Sequence, residues 1–226
     1  MSLGDAWQQH AQDWIVWARR ANHDGFWDGT WAELRAVLPA PGGLVVEFGC
    51  GEGRVGRELL DLGHMVIGIE RSATLVRAAR HAEPPLSVIR ADAARLPLGD
   101  AVANTVVACM SLHDVDDLGS AVHEASRILR RGGQLCVAMV HPFATAQDPS
   151  TMHSHHPVVS ESYLNERRVE DHVERDGLEM TFVSRHRPLS AYVSSFADAG
   201  FMISALREFG GKPIPWLLVT RGEKVS

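Results

Sequence analysis

The sequence predicts an α/β fold built on a doubly wound, mostly parallel sheet of seven strands, and three observations carry that prediction. Short apolar runs bounded by turn residues alternate with helix-periodic segments through residues 42 to 141. The first run, Leu44-Val45-Val46-Glu47-Phe48, breaks into alternating glycines at Gly49, Gly51 and Gly53, and Val55, Leu59 and Leu60 follow at helical spacing. Two more strand-like runs, Met202 to Arg207 and Trp216 to Thr220, remain near the C-terminus to complete the sheet. At 226 residues the chain has room for one such domain with an insertion.

Residues 5 to 38 read as a helical region, because Trp7, Ala11, Trp14, Ala18 and Ala21 recur at helical spacing with Trp17 beside the stripe. That stripe suits packing on the core. It also suits a lid in which Trp14, Trp17, Trp27 and His10 close a pocket. Pro39 to Gly43 ends the region as a linker. Strand one and its glycine turn follow, then a second strand, Met65 to Glu70, and a third, Leu86 to Ile89, leading into Arg90-Ala91-Asp92-Ala93. Thr105 to Met110 is the fourth. Arg127 to Leu135 spans a helix end, a glycine stop and the start of a fifth strand that runs to Val140.

Residues 142 to 187 break the rhythm with a polar loop and two strand-like segments, Arg167 to Val173 and Leu178 to Ser184, around a turn at Asp176-Gly177. Leu189, Tyr192, Val193, Phe196 and Ala199 then mark a helix that Gly200 stops. The expected organisation is a single domain over 1–226. It comprises an N-terminal helical lid (1–41), a cofactor-binding half (42–141), an acceptor cap (142–187) and a segment completing the sheet (188–226).

A strand, a glycine turn and a helix start in that order make a nucleotide-cofactor site, since glycine lets the backbone approach a ligand and the helix start presents open amides. Glu47 qualifies the ligand. An acid just before the turn repels phosphate and suits an ammonium, which argues for a cationic, phosphate-free cofactor. Gly51 to Gly56 also fits the dinucleotide fingerprint, with Glu70 as the ribose acid, so an NAD-dependent dehydrogenase is a competing reading. In that fold the first glycine follows the strand directly, whereas here Glu47 and Gly49 intervene.

At these residues the chain resembles the class I S-adenosylmethionine-dependent methyltransferases, a Rossmann-like family. Glu47-x-Gly49-x-Gly51-x-Gly53 is similar to the family's first motif, Gly68-Ile69-Glu70 to the second and Ala91-Asp92-Ala93 to the third. Leu129 to Gly133 resembles the lead into strand five. The resemblance implies a last strand antiparallel to the rest, a lid, and a hairpin insertion before strand six. It implies S-adenosyl-L-methionine as cofactor and a small-molecule methyl acceptor, with transfer to O, N or C. A non-catalytic binder of the same fold is the rival.

Within the resemblance, Glu47 engages the methionyl ammonium, while Gly49, Cys50 and Gly51 form the turn against the cofactor. Glu70 holds the ribose hydroxyls, Arg71 lies along the adenine, and Asp92 and Ala93 hydrogen-bond its edge. Met110 ends strand four where the sulfonium sits. His113 just beyond it, and His141 at the end of strand five, are the candidate bases.

Lys+Arg 22 against Asp+Glu 28 gives a net charge of −6 with no basic tract, which argues against nucleic acid as a partner. No apolar run is long enough to span a bilayer, and no signal peptide precedes the helices, so the expectation is a cytoplasmic protein without membrane partners. Cys50, Cys109 and Cys136 lie in or beside core strands and read as reduced core hydrophobes. His153, His155 and His156, with Glu161 nearby, have a metal-like look without a structural-zinc spacing, and read as a polar loop with no metal.

Overall fold

The computed structural model describes residues 1–24, 27–151, 156–211 and 213–225. Three helices open the chain: α1 (Leu3–Gln9), α2 (Ala11–Arg19) and α3 (Trp27–Arg35). Ser2 starts α1 by accepting from the Asp5 amide at 3.1 Å, and His10 separates α1 from α2. The alternating half follows as β1 (Leu44–Phe48), α4 (Arg54–Asp61), β2 (Met65–Glu70), α5 (Ala73–Arg80), β3 (Val88–Arg90), β4 (Ala103–Cys109), α6 (Leu118–Ile128) and β5 (Leu129–Val140). A short helix, α7 (Pro142–Thr145), leads to the hairpin β6 (Arg167–Arg175) and β7 (Leu178–His186). Then come α8 (Leu189–Asp198), β8 (Phe201–Phe209) and β9 (Leu217–Lys224).

The strands form one seven-stranded sheet in the order β3-β2-β1-β4-β5-β9-β8. Pairs among β1 to β5 are parallel, and β9 runs antiparallel to both its neighbours. The hairpin is a separate two-stranded sheet, turned by Asp176 (φ 50°) and Gly177 (φ 73°). Alternate side chains of each strand serve opposite faces. Val46, Val106, Val137 and Met139 pack with Val122 of α6 and Phe196 of α8; Val45, Val107 and Ala138 pack with Leu34, Leu59 and Val76 of α3, α4 and α5.

The order reverses between β1 and β4, so the crevice at their carboxyl ends is the place where such a sheet leaves room for a ligand. One local difference from expectation lies ahead of strand five. The helix already stops at Ile128, and 129–133 bulges out of the ladder, with Gly132 at φ 72°, before Gln134 settles opposite Thr105.

Candidate cofactor and acceptor site

A cavity of about 360 Å³ lies at the carboxyl ends of β1, β2 and β4, within the size range of small-molecule sites. Glu47, Gly49, Cys50, Gly51, Glu70, Arg71, Asp92, Ala93, Met110 and His113 all border it. His141 does not.

The turn after β1 needs its glycines. Gly49, Gly51 and Gly53 have φ of 63°, 57° and 92°. A Cβ on Gly49 would come 2.6 Å from the Cβ of Ser111, so the turn lies flat against the end of β4. Ser111 fastens that contact by donating from Oγ to the Phe48 carbonyl at 2.7 Å. The Cys50 amide donates to Ile69 at 3.0 Å, and its thiol packs on Gly68, so the side chain faces the core. Burial pushes the thiol pKa of Cys50 well up, and those of Cys109 and Cys136 to about 12.

Glu47 is 1% exposed, and its Oε2 has no hydrogen-bond partner among the described residues. Burial first, then the charges of Glu70 and Glu52, raise its pKa well above the ordinary carboxylate value. Glu70 is likewise buried but well held. Its Oε2 accepts from the Gly51 amide at 3.0 Å and its Oε1 from the Ser72 amide at 2.7 Å. Burial raises its pKa, and those amides oppose the rise. The carboxylate therefore ties the glycine turn to the end of β2 while each oxygen keeps a further acceptor direction.

Arg71 lies across the rim. It donates to Asp116 Oδ2 at 3.2 Å and Ser2 Oγ at 3.3 Å, and sits 3.7 Å from both Asp92 and Asp5. Asp92 accepts from the Ala94 amide at 2.9 Å through Oδ1, a turn-capping role that leaves Oδ2 toward Arg71. Met110 follows β4 with φ 52°, unusual for a side-chain-bearing residue, and its amide donates to Ala138 at 2.7 Å.

His113 is 5% exposed. Its Nε2 is 3.5 Å from Asp114 Oδ1, and its Nδ1 has no partner among the described residues. Burial and the nearby Arg187 lower its pKa to about 4, so the ring is neutral near pH 7. His141 is committed elsewhere. Its Nδ1 caps α7 by accepting from the Phe143 amide at 3.0 Å, which fixes the proton on Nε2, donated to Glu208 at 2.8 Å. With both nitrogens bonded and the ring outside the cavity lining, the expected pairing of His141 with the reacting centre is not what the fold builds.

The N-terminal helices and the hairpin wall the rest of the cavity. Trp14, Trp17 and Trp27 border it as the lid reading expects, while His10 sits at the α1–α2 junction outside the lining. From the cap, Val169, Asp171, Val173 and Arg175 of β6 and Phe182 and Ser184 of β7 face inward. Tyr163, Arg167 and Glu161 instead buttress the cap. Arg167 donates to Thr145 and Ala146 carbonyls, Glu161 pairs with Arg167 at 3.8 Å, and the Tyr163 hydroxyl accepts from the Leu189 amide. His153 and His155 lie outside the described residues. Among the described residues no group of three His, Cys, Asp or Glu converges as a metal site, and no helix is long and apolar enough to cross a membrane.

Sequence reasoning missed Trp7, Trp216, Asp24 and Arg54 as lining. Arg54 lies over the Trp27 ring at 4.2 Å and pairs with Asp24 at 2.5 Å. The signal available for the hairpin was the period-two alternation from Val169 to Arg175.

A doubly wound sheet with a glycine turn and acids at the ends of its first two strands defines an α/β domain whose cavity lies at the switch point of the sheet. Residues 46–137 match the methyltransferase domain family. A demethylmenaquinone methyltransferase of Beutenbergia cavernae is 31% identical over 107 residues, 47% of this chain and 45% of that protein. The matched stretch thus spans about half the length of that curated relative. An S-adenosylmethionine-dependent methyltransferase of Mesorhizobium loti superposes with a TM-score of 0.67 at 22% identity, over 85% of this chain and 96% of that one. A Burkholderia thailandensis 1,6-didemethyltoxoflavin-N1-methyltransferase, solved with 1,6-didemethyltoxoflavin and S-adenosylhomocysteine bound, gives 0.63 at 16% identity, over 99% of this chain and 87% of that one. The family model thus matches less than half of the chain, and the chain as a whole shares the fold of these solved methyltransferases.

Proposed function

We propose that this chain is an S-adenosylmethionine-dependent methyltransferase acting on an oxygen, nitrogen or carbon of a small organic molecule. The observation that carries the reading is the Glu47–Glu70 pair beside the glycine turn. Glu47, a buried acid that borders the cavity, suits an ammonium and disfavours phosphate. Glu70 offers both oxygens to adjacent ribose hydroxyls, and Asp92 with the Ala93 amide supplies an acceptor and a donor for the adenine edge. Cys50 contributes to the turn and Met110 to the wall at the methyl-bearing end. Three buried thiols without disulfides fit a cytoplasmic setting.

When bound, the cofactor supplies a methyl carbon already activated by positive sulfur. The chain aligns, excludes water and accepts a proton. In this reading His113 is the acceptor of that proton, because it is neutral and its Nδ1 is uncommitted.

Titration calorimetry with S-adenosylhomocysteine and with NAD tests the cofactor. The homocysteine form binds, and Glu70→Gln weakens it by about 1.5–3 kcal/mol, one charge-assisted contact. Binding of NAD alone would turn the reading to a dehydrogenase. Incubation with methyl-labelled cofactor and a metabolite extract then tests the acceptor: label should enter a small-molecule fraction, and label only in protein or nucleic acid sinks that class.

A further inference from the structure

The acceptor half of the cavity has an unusual composition. Trp7, Trp14, Trp17 and Phe182 border it, and they meet edge to face. Trp7–Trp14 centroids are 6.0 Å apart at 85°, Trp14–Phe182 6.2 Å at 75°, and Trp17–Phe182 5.8 Å at 86°. These rings are held from outside the cavity. The Trp7 indole N–H donates to the Val183 carbonyl of β7 at 3.0 Å, and β7 packs against the 112–114 turn that carries His113.

A guanidinium already sits beside this wall: Arg54, paired with Asp24, lies 4.2 Å over Trp27 and 5.7 Å over Trp14. Arg175, at the end of β6, donates to the His23 carbonyl at 2.8 Å. His113 also borders the cavity, a nine-tenths-buried imidazole whose Nδ1 has no hydrogen-bond partner among the described residues.

We infer that the acceptor is a small, uncharged aromatic or heteroaromatic ring carrying an O–H or N–H, its ring held edge-on and face-on among Trp7, Trp14, Trp17 and Phe182 and its hydrogen donated to His113 Nδ1. This rests on the methyltransferase reading and goes beyond it in naming the acceptor class and atom. The step balances within those groups. The heteroatom lone pair attacks the methyl carbon, the carbon–sulfur bond breaks with its electrons going to sulfur, and the displaced proton passes to Nδ1 and on to solvent. The proton becomes far more acidic as the new bond forms, so a weakly basic imidazole is sufficient.

The test uses the intact chain saturated with S-adenosylhomocysteine and four probes by saturation-transfer NMR: 1-naphthol, indole, spermidine and hexanoate. The aromatic pair should bind and the polyamine and the aliphatic acid should not. With S-adenosylmethionine, 1-naphthol should gain a labelled methyl. Phe182→Leu, which keeps an apolar side chain, should weaken 1-naphthol binding by about fivefold, the worth of an aromatic contact, with S-adenosylhomocysteine affinity unchanged. His113→Asn should keep 1-naphthol binding and lower kcat by about a hundredfold without changing KM for the cofactor.

Spermidine or hexanoate binding in preference to the aromatics overturns the inference while leaving the methyltransferase reading intact. So does a Phe182→Leu variant that binds 1-naphthol as tightly as the parent. Failure to bind S-adenosylhomocysteine at all overturns both.

Discussion

Glu47 is 1% exposed, and its Oε2 lies under the first turn of α4, where a Cβ on Gly56 would come within 2.9 Å of it. Its pKa is raised by burial, by Glu70 and by Glu52, and lowered by Arg57 and the Gly56 amide, with the rise prevailing. The folded carboxyl therefore keeps a proton that the unfolded chain releases near 4.5. The stability this contributes is fully present below the unfolded value and is lost as pH rises through the folded one. Thermal scans of the cofactor-free protein between about pH 5 and pH 8 should show a falling midpoint that Glu47→Gln flattens, a difference on the order of 1–3 kcal/mol at the upper end. For a chain of this size that is roughly 2–4 °C per kcal/mol. The same variant should bind S-adenosylhomocysteine less tightly; parallel pH curves for the two proteins would mean that Glu47 carries no strained charge. Glu47 and Glu70 were legible because acids interrupt or end otherwise apolar strands. His141 was misplaced because the strand-end position was read without the following proline. His141-Pro142 is a helix-start signature, and a histidine used as an N-cap has one nitrogen fewer for chemistry.

Among the elements, the turn after β1 is where backbone conformation and packing combine. Gly49 has φ 63° with Ser111 in the place of any side chain, whereas Gly132 has φ 72° with nothing within 4 Å. Gly49→Ala should therefore cost about 2–5 kcal/mol, the left-handed backbone plus overpacking against β4. Gly132→Ala should cost only the backbone part, about 1–2 kcal/mol. Urea unfolding of the two variants separates the contributions, and equal losses would remove the contact with Ser111 from the account. The turn could be read from sequence because only glycine tolerates that backbone. The partner of the turn could not, since nothing in the order of residues places Ser111 against Gly49. The hairpin shows the same divide: Asp176-Gly177 announced its turn, but which of its faces meets the cavity depends on how it docks against α1, α2 and the 112–114 turn.

Across the whole molecule, the mostly parallel, doubly wound sheet followed from the alternation of strands and helices, while the closing of the site depends on contacts between segments far apart in sequence. Arg168 donates to the Met1 carbonyl and Arg20 to that of Asp176, and Arg19 pairs with Glu52 of the glycine turn at 2.9 Å. These bonds join the N-terminal helices, the hairpin and the glycine turn into one enclosure. Arg71 is the hub on the cofactor side, reaching Ser2 and Asp5 at the start of α1 together with Asp92 and Asp116. Its side chain is 43% exposed, so each of these pairs is screened by water and adds little to the fold. The packing beneath is different, because Leu3 and Ala6 of α1 are buried against Val183 of the hairpin. Arg71→Ala should therefore leave global stability within about 1 kcal/mol of the parent. It should, however, raise amide hydrogen exchange in residues 2–10 and weaken S-adenosylhomocysteine binding through faster dissociation. Low-stability segments at a site are where such local opening is expected. A variant whose N-terminal exchange and dissociation rate match the parent would show that α1 is held by its apolar face alone and that Arg71 has no part in closing the lid.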